Sequence, residues 1–111
     1  MINPTPEDIS SITPQELQTL KQQLADFTLL DVREPHEYEL CNLEGVLIPL
    51  GELGYRLEEI NREKPVIVHC RTDSRSQKAA ELLYDAGFNV KYLKGGIIAW
   101  AQQIDPEVVQ Y

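Results

Sequence analysis

Val66-Ile67-Val68-His69-Cys70-Arg71-Thr72-Asp73-Ser74-Arg75-Ser76 is the stretch on which the reading of the whole chain turns. Its first half is apolar and β-branched, which suits a strand buried on both faces. Its second half opens on a cysteine and stays polar until Ala79, Ala80, Leu82, Leu83 and Ala86 set up a helical stripe, with Gly87 placed to cap the helix end. Strand, short polar loop and helix in this order make one unit of a parallel sheet, and the loop lies where such sheets place ligands.

The same alternation continues in both directions. Thr13-Pro14-Gln15-Glu16 is a capping box with proline at the first helical position, and Leu17, Leu20 and Leu24 follow at helical spacing, predicting a helix to about Ala25. Residues 28–32 form a short apolar strand that delivers Asp31 and Arg33 at its polar end, before a turn at Glu34-Pro35. Val46-Leu47-Ile48 reads as another strand, and residues 50–60 as a helix, with Leu53, Leu57 and Ile60 in phase despite Gly51 and Gly54. Val90, Tyr92 and Leu93 mark a last strand, after which Gly95-Gly96 turns the chain into a short helix over residues 97–102. The stretch from Asp105-Pro106 onward reads as irregular. Residues 1–10, with Pro4 and Pro6, read as a flexible tail or linker remnant, leaving residues 11–111 as one α/β domain with a parallel sheet covered on both faces.

Bulk properties narrow the function classes. The chain has 111 residues, enough for one core, with 42% apolar and 25% charged side chains, as in ordinary globular domains. A formal charge of −8 argues against a nucleic-acid partner, because neutralising phosphates takes a basic face. The longest apolar runs fall far short of a membrane span, and the N-terminus lacks a basic-then-apolar secretory pattern, so the expectation is a cytoplasmic protein with no membrane partner. Cys41 and Cys70 show no zinc-like spacing to each other or to the histidines; no metal or organic cofactor is expected, and both thiols should be free.

The loop supplies the chemistry. Where a loop turns into a helix N-terminus, unpaired backbone N–H groups and the helix dipole favour an anion at its centre. A cysteine sulfur at Cys70 would sit there, and such a field activates a thiol as a nucleophile near neutral pH. Arg71 and Arg75 add positive charge, and Thr72, Ser74 and Ser76 add hydroxyls. A cysteine at a strand end is, on its own, more often small core filling than a nucleophile. The combination with two arginines and a strand-to-helix turn favours catalysis.

Cys70, Arg75 and Ser76 resemble the active-site loop of the rhodanese-like family, usually written C-x-x-G-x-R-S; Asp73 stands where that pattern has glycine. Three more segments resemble the family in order: Leu30-Asp31-Val32-Arg33-Glu34-Pro35-His36-Glu37-Tyr38, Val46-Leu47-Ile48-Pro49-Leu50, and Leu93-Lys94-Gly95-Gly96-Ile97-Ile98-Ala99-Trp100. The resemblance spans roughly residues 11 to 104 and implies a five-stranded parallel sheet with helices on both faces. It further implies that Cys70 accepts sulfur as a persulfide and passes it to a nucleophile. The backbone from Arg71 through Thr72, Asp73, Ser74 and Arg75 to Ser76 would cradle that sulfur, with Arg75 reaching across the loop and Ser76 capping the next helix. Asp31 and Arg33 would brace the site, while Gly95, Gly96 and Trp100 are architectural and His69 and Cys41 are bystanders. At position 73 aspartate is among the few residues that tolerate a left-handed backbone, but a carboxylate beside the sulfur would repel anionic donors.

The segment Tyr38-Glu39-Leu40-Cys41-Asn42-Leu43 and the ending from Gly95 to Tyr111 are similar to the C-terminal rhodanese domain of MoeB-type adenylyltransferase and sulfurtransferase proteins. The resemblance implies a sulfur donor, thiosulfate or a cysteine desulfurase, and as acceptor the C-terminus of a ubiquitin-like sulfur carrier protein of a molybdopterin or thiamine type pathway. No glycine-rich nucleotide loop occurs, so the chain reads as an excised domain or a freestanding relative. Two other readings stay open. Phosphatases of the same fold keep one more residue between cysteine and arginine than Cys70 and Arg75 do, which favours sulfur over phosphorus. A non-catalytic interaction module is disfavoured by the presence of Cys70 and Arg75 and mildly favoured by Asp73.

Overall fold

A computed structural model describes residues 9–111. Five parallel strands form one sheet in the order β1-β5-β4-β2-β3, with β1 at Ser11–Ile12, β2 at Thr28–Asp31, β3 at Val46–Leu47, β4 at Val66–His69 and β5 at Val90–Leu93. The helices are α1 (Pro14–Gln22), α2 (Pro35–Leu40), α3 (Leu50–Leu53), α4 (Ser74–Asp85) and α5 (Gly96–Gln103), with a single 3₁₀ turn at Leu57–Glu59. The order reverses between β2 and β4: the chain leaves β2 for β3 on one side, then crosses to β4 on the other. The crevice at the carboxyl ends of those two strands is where an open parallel sheet binds ligands.

Strand β4 is central and buried at every residue, as its unbroken apolar run requires. Its side chains divide the core in two. Val66 and Val68 join Leu30, Leu53, Ala79, Ala80 and Leu83 under α3 and α4, whereas Ile67 joins Leu17, Leu93, Ile97 and Trp100 under α1 and α5. Helices therefore cover both faces, as the alternating pattern predicts.

Several boundaries differ from the periodicity. Helix α1 stops at Gln22 because Leu24, which continues the leucine spacing, adopts a left-handed backbone (φ 54°) and is exposed. The helix expected over 50–60 is broken into α3 and the 3₁₀ turn; Gly51 and Gly54 make continued helix costly, and Arg56 bridges the break to Glu52 and Glu59. The turn at Glu34-Pro35 opens helix α2, whose signal is proline at the first helical position and Glu37 accepting from the Glu34 N–H at 3.0 Å. Strand β1 was too short for periodicity to show. Of the expected tail, residues 1–8 lie outside the described residues, but Ile9 is buried in the core and the Ser10 carbonyl accepts from Tyr92. Among the described residues, no helix is long and apolar enough to cross a membrane.

Candidate active site

Cys70 follows β4 directly, and Ser76 lies in the first turn of α4. The Cys70 thiol is buried, 1% exposed, and its Sγ receives the Ser76 backbone N–H at 3.3 Å. The Ser76 hydroxyl lies 3.5 Å from that sulfur and donates to the Asp73 carbonyl at 3.0 Å. Ser76 is thus inside the helix, locking the loop across its base; the position before the helix belongs to Asp73. Among the described residues, the amides of Arg71, Thr72, Asp73, Ser74 and Arg75 have no protein acceptor, so the loop that begins at Cys70 keeps free donors.

Asp73 departs from the expectation. Its backbone is not left-handed (φ −129°), and its carboxylate turns away from the sulfur to accept from the Gly95 N–H at 2.8 Å. That bond ties the loop to the start of α5. The Cys70 and Arg71 carbonyls receive the Ile97 and Ile98 N–H groups, so the first turn of α5 satisfies the back of the loop. Gly96 makes this approach possible: it has φ 63°, and a Cβ there would lie 2.5 Å from the Arg71 carbonyl oxygen. The two glycines therefore do more than turn the chain.

Beside the loop, Asp31 and Arg33 form a fully buried ion pair, with Arg33 Nη2 donating to Asp31 Oδ2 at 2.7 Å and Nε donating to both oxygens. The Arg33 guanidinium also donates to the Glu37 and Cys41 carbonyls, spanning from β2 to α2. Burial opposes its charge, but hydrogen bonds to Asp31 and Tyr111 outweigh it and hold the guanidinium above its ordinary range. The pair ties the end of β2 to α2 beside the loop. His69 is fully buried with Nε2 unpartnered, 3.7 Å from Asp31; burial chiefly, with Arg33 assisting against Asp31, pushes it down and keeps it neutral.

Arg75 does not reach across the loop. It turns to α2 and grips Glu37 with both terminal nitrogens, Nη2 donating to Oε2 at 2.9 Å. Glu37 and Tyr111 are the site residues that the sequence reading missed. The ordinary helix-start signal at Glu34-Pro35 would have placed Glu37 on a helix, whereas nothing local to Tyr111 points to the loop. The Tyr111 hydroxyl donates to Glu37 Oε2 at 2.8 Å and accepts from Arg33 Nη1 at 2.7 Å, while Arg71 lies over its ring, 5.1 Å from the centroid. Cys41 sits at the end of α2, a free thiol 3.9 Å from Arg33 Nη1 and bonded to the Val109 carbonyl.

The Arg75 hydrogen bonds, opposed by burial and aided by the Glu34 amide and Tyr111, hold the Glu37 carboxyl at about 2 instead of the ordinary 4.5. A carboxyl depressed on folding stabilises the fold above its ordinary value and loses that contribution as pH falls toward its folded value. At neutral pH the shift corresponds to about 3 kcal/mol. In Glu37→Gln the fall in unfolding free energy between pH 6 and pH 2.5 should shrink by about 2 kcal/mol, measured by urea unfolding. An unchanged acid limb would show that the pair adds no stability.

The rhodanese-like domain family matches residues 13–103. The chain is 36% identical over 106 residues to the probable adenylyltransferase/sulfurtransferase MoeZ of Mycobacterium tuberculosis, covering 92% of this chain and 27% of that protein. It thus spans about a quarter of that relative's length. A sulfurtransferase of Allochromatium vinosum is 36% identical over 90 residues, covering 77% of this chain and 84% of that protein. The crystal structure of a rhodanese-related protein from Thermoplasma volcanium superposes with a TM-score of 0.81 at 32% identity, covering 92% of this chain and 99% of that one. Sulfurtransferases among its relatives support a sulfur-transfer role for a loop of this geometry, and the chain belongs to the rhodanese-like domain family.

Proposed function

We propose that this protein is a sulfurtransferase in which Cys70 carries sulfur as a persulfide. The observation that supports the reading most is the placement of the Cys70 sulfur on the Ser76 amide, within a loop whose other amides are free. The Cys70 thiolate attacks the outer sulfur of a donor. A sulfur–sulfur bond forms at Cys70, the donor's own bond to that sulfur breaks, and the donor's remainder leaves with the electron pair: sulfite from thiosulfate, or a thiolate from a protein persulfide. The free amides receive the negative charge on the terminal sulfur. In the second half the outer sulfur of the Cys70 persulfide attacks the acceptor's activated acyl carbon and expels its leaving group. Two equivalents of a thiol then reduce the acyl disulfide, releasing a thiocarboxylate and the Cys70 thiolate and leaving the thiol as its disulfide.

For the acceptor we favour the activated C-terminus of a ubiquitin-like sulfur carrier, as in a molybdopterin or thiamine type pathway. The MoeZ relative pairs adenylyltransferase with sulfurtransferase in its name, and an adenylated carboxylate is an acceptor that such a partner activity would prepare. A reducing cytoplasm is the compartment in which the free thiols of Cys41 and Cys70 would persist.

Intact mass spectrometry tests the reading. After incubation with thiosulfate, or with a cysteine desulfurase plus cysteine, the protein should gain one sulfur, removable by reductant and mapped by peptide mass to Cys70. A folded protein that gains none from either donor would favour an interaction module, for which the burial of Cys70 is the supporting observation.

A further inference from the structure

Both arginines of the loop are occupied, and by residues that touch each other. Arg75 is paired with Glu37, Arg71 lies over the Tyr111 ring, and the Tyr111 hydroxyl joins Glu37 to Arg33. Arg33 also faces the same ring, 5.8 Å from its centroid. The belt runs Arg71, Tyr111, Glu37, Arg75, from the residue after Cys70 to the residue before Ser76. Tyr111 is held by its own segment: Val108 packs on the α1 and α5 side of the core, and the Val109 carbonyl accepts from Cys41.

The two occupants differ in strength. Glu37 carries a full charge and makes a bidentate pair, and charge-assisted bidentate bonds are stronger than neutral ones. Tyr111 offers Arg71 only a π face, and it offers Arg33 a hydroxyl. Burial, more than Glu37, pushes its hydroxyl up, so it is neutral and Arg71 gains no counter-charge from it. A sulfonate or sulfate group arriving at the loop would bind either arginine more strongly than a phenol does.

We propose that Tyr111 is a latch on the persulfide site: it occupies Arg71 and Arg33, and an anionic sulfur donor binds by displacing it, so that Tyr111 sets the selectivity against small dianionic donors. The proposal rests on Cys70 accepting sulfur. With thiosulfate the balance is closed: the Cys70 thiolate takes the outer sulfur, the bond to the sulfonate sulfur breaks, and sulfite departs with the pair. No oxidant or reductant enters. The sulfonate oxygens are the groups that compete with Tyr111 for Arg71, so the latch acts on donor binding and not on the bond-breaking step.

Steady-state thiosulfate kinetics on the full chain separate these effects. In Tyr111→Ala the KM for thiosulfate should fall about tenfold with kcat within about threefold, because the donor no longer has to displace the ring from Arg71 or the hydroxyl from Arg33. Tyr111→Phe, which keeps the ring under Arg71 and loses only the hydroxyl, should fall in between. Loading from a cysteine desulfurase should change less than thiosulfate loading does. An unchanged or raised thiosulfate KM in folded Tyr111→Ala overturns the latch; if that variant is unfolded, Tyr111→Phe decides by the same criterion. Binding of inorganic sulfate, measured by calorimetry, is independent of sulfur transfer. Tighter sulfate binding by Tyr111→Ala supports the latch even if no sulfur is loaded, in which case only the carrier reading fails, and equal binding overturns the latch.

Discussion

Cys70→Ala is expected to give a folded domain that takes up no sulfur from thiosulfate or from a desulfurase, a loss beyond a thousandfold. The step is covalent, and neither a methyl group nor the neighbouring Ser76 hydroxyl can replace a thiolate as the sulfur carrier. The structural cost is small by comparison. The Cys70 side chain lies in the core with Val32, Val68, Ala79 and Ala80, and removing one sulfur leaves a void smaller than a methylene series would. About 1 kcal/mol is a fair expectation, and it should appear as a drop of several degrees in Tm by circular dichroism. Cys41→Ala supplies the contrast, because its thiol lies outside the loop, hydrogen-bonded to the Val109 carbonyl and 3.9 Å from Arg33. It should load one sulfur like the native protein. Equal loading of the Cys70→Ala protein would move the carrier to Cys41 and sink the proposed chemistry.

The largest loss of stability is expected for Arg33→Ala. Removing the guanidinium leaves the Asp31 carboxylate fully buried without its cation, strips the Cys41 and Glu37 carbonyls of a donor, and frees Tyr111 from one of its two hydrogen bonds. Breaking one side of a buried pair typically costs about 3–5 kcal/mol, a large fraction of what a domain of this size has to lose. Thermal unfolding should shift down by more than about 10 °C. The double variant Asp31→Leu with Arg33→Met should recover much of the loss, since a packed apolar pair avoids the stranded charge. If Arg33→Ala and the double variant are equally unstable, the brace acts through the carbonyl and Tyr111 bonds instead of through the ion pair.

The latch and the acid limb of Glu37 depend on the same short helix, and the sequence hid that helix for an identifiable reason. Six residues, Pro35–Leu40, carry too few turns for an apolar stripe, and the only signals are the proline at its start and the glutamate two residues later. The loop residues were legible because their roles are local. Cys70 follows β4 and Ser76 lies in the first turn of α4, so a continuous run of sequence contains the thiol, the amide that meets it and the free donors between them. Asp31 and Arg33 were legible for the same reason: two residues apart at a strand end, they find each other without help from the rest of the fold. Asp73 was readable only by halves. Its departure from glycine is plain in the chain, but the direction of its carboxylate depends on Gly95, brought alongside by the packing of α5.

Short-range pattern alone pointed to four strands of a parallel sheet, the helices long enough to carry an apolar stripe, and the thiol-bearing loop, because apolar periodicity acts over a few residues. Packing across the sheet decided where the arginines point. Arg75 meets Glu37 from α2, Arg71 meets Tyr111 from the far end of the chain, and the carbonyls behind Cys70 meet the amides of α5. Those partners lie tens of residues apart, and a long flexible cation takes whichever carboxylate or ring the fold brings within reach, so its direction is a property of the assembled crevice at the ends of β2 and β4.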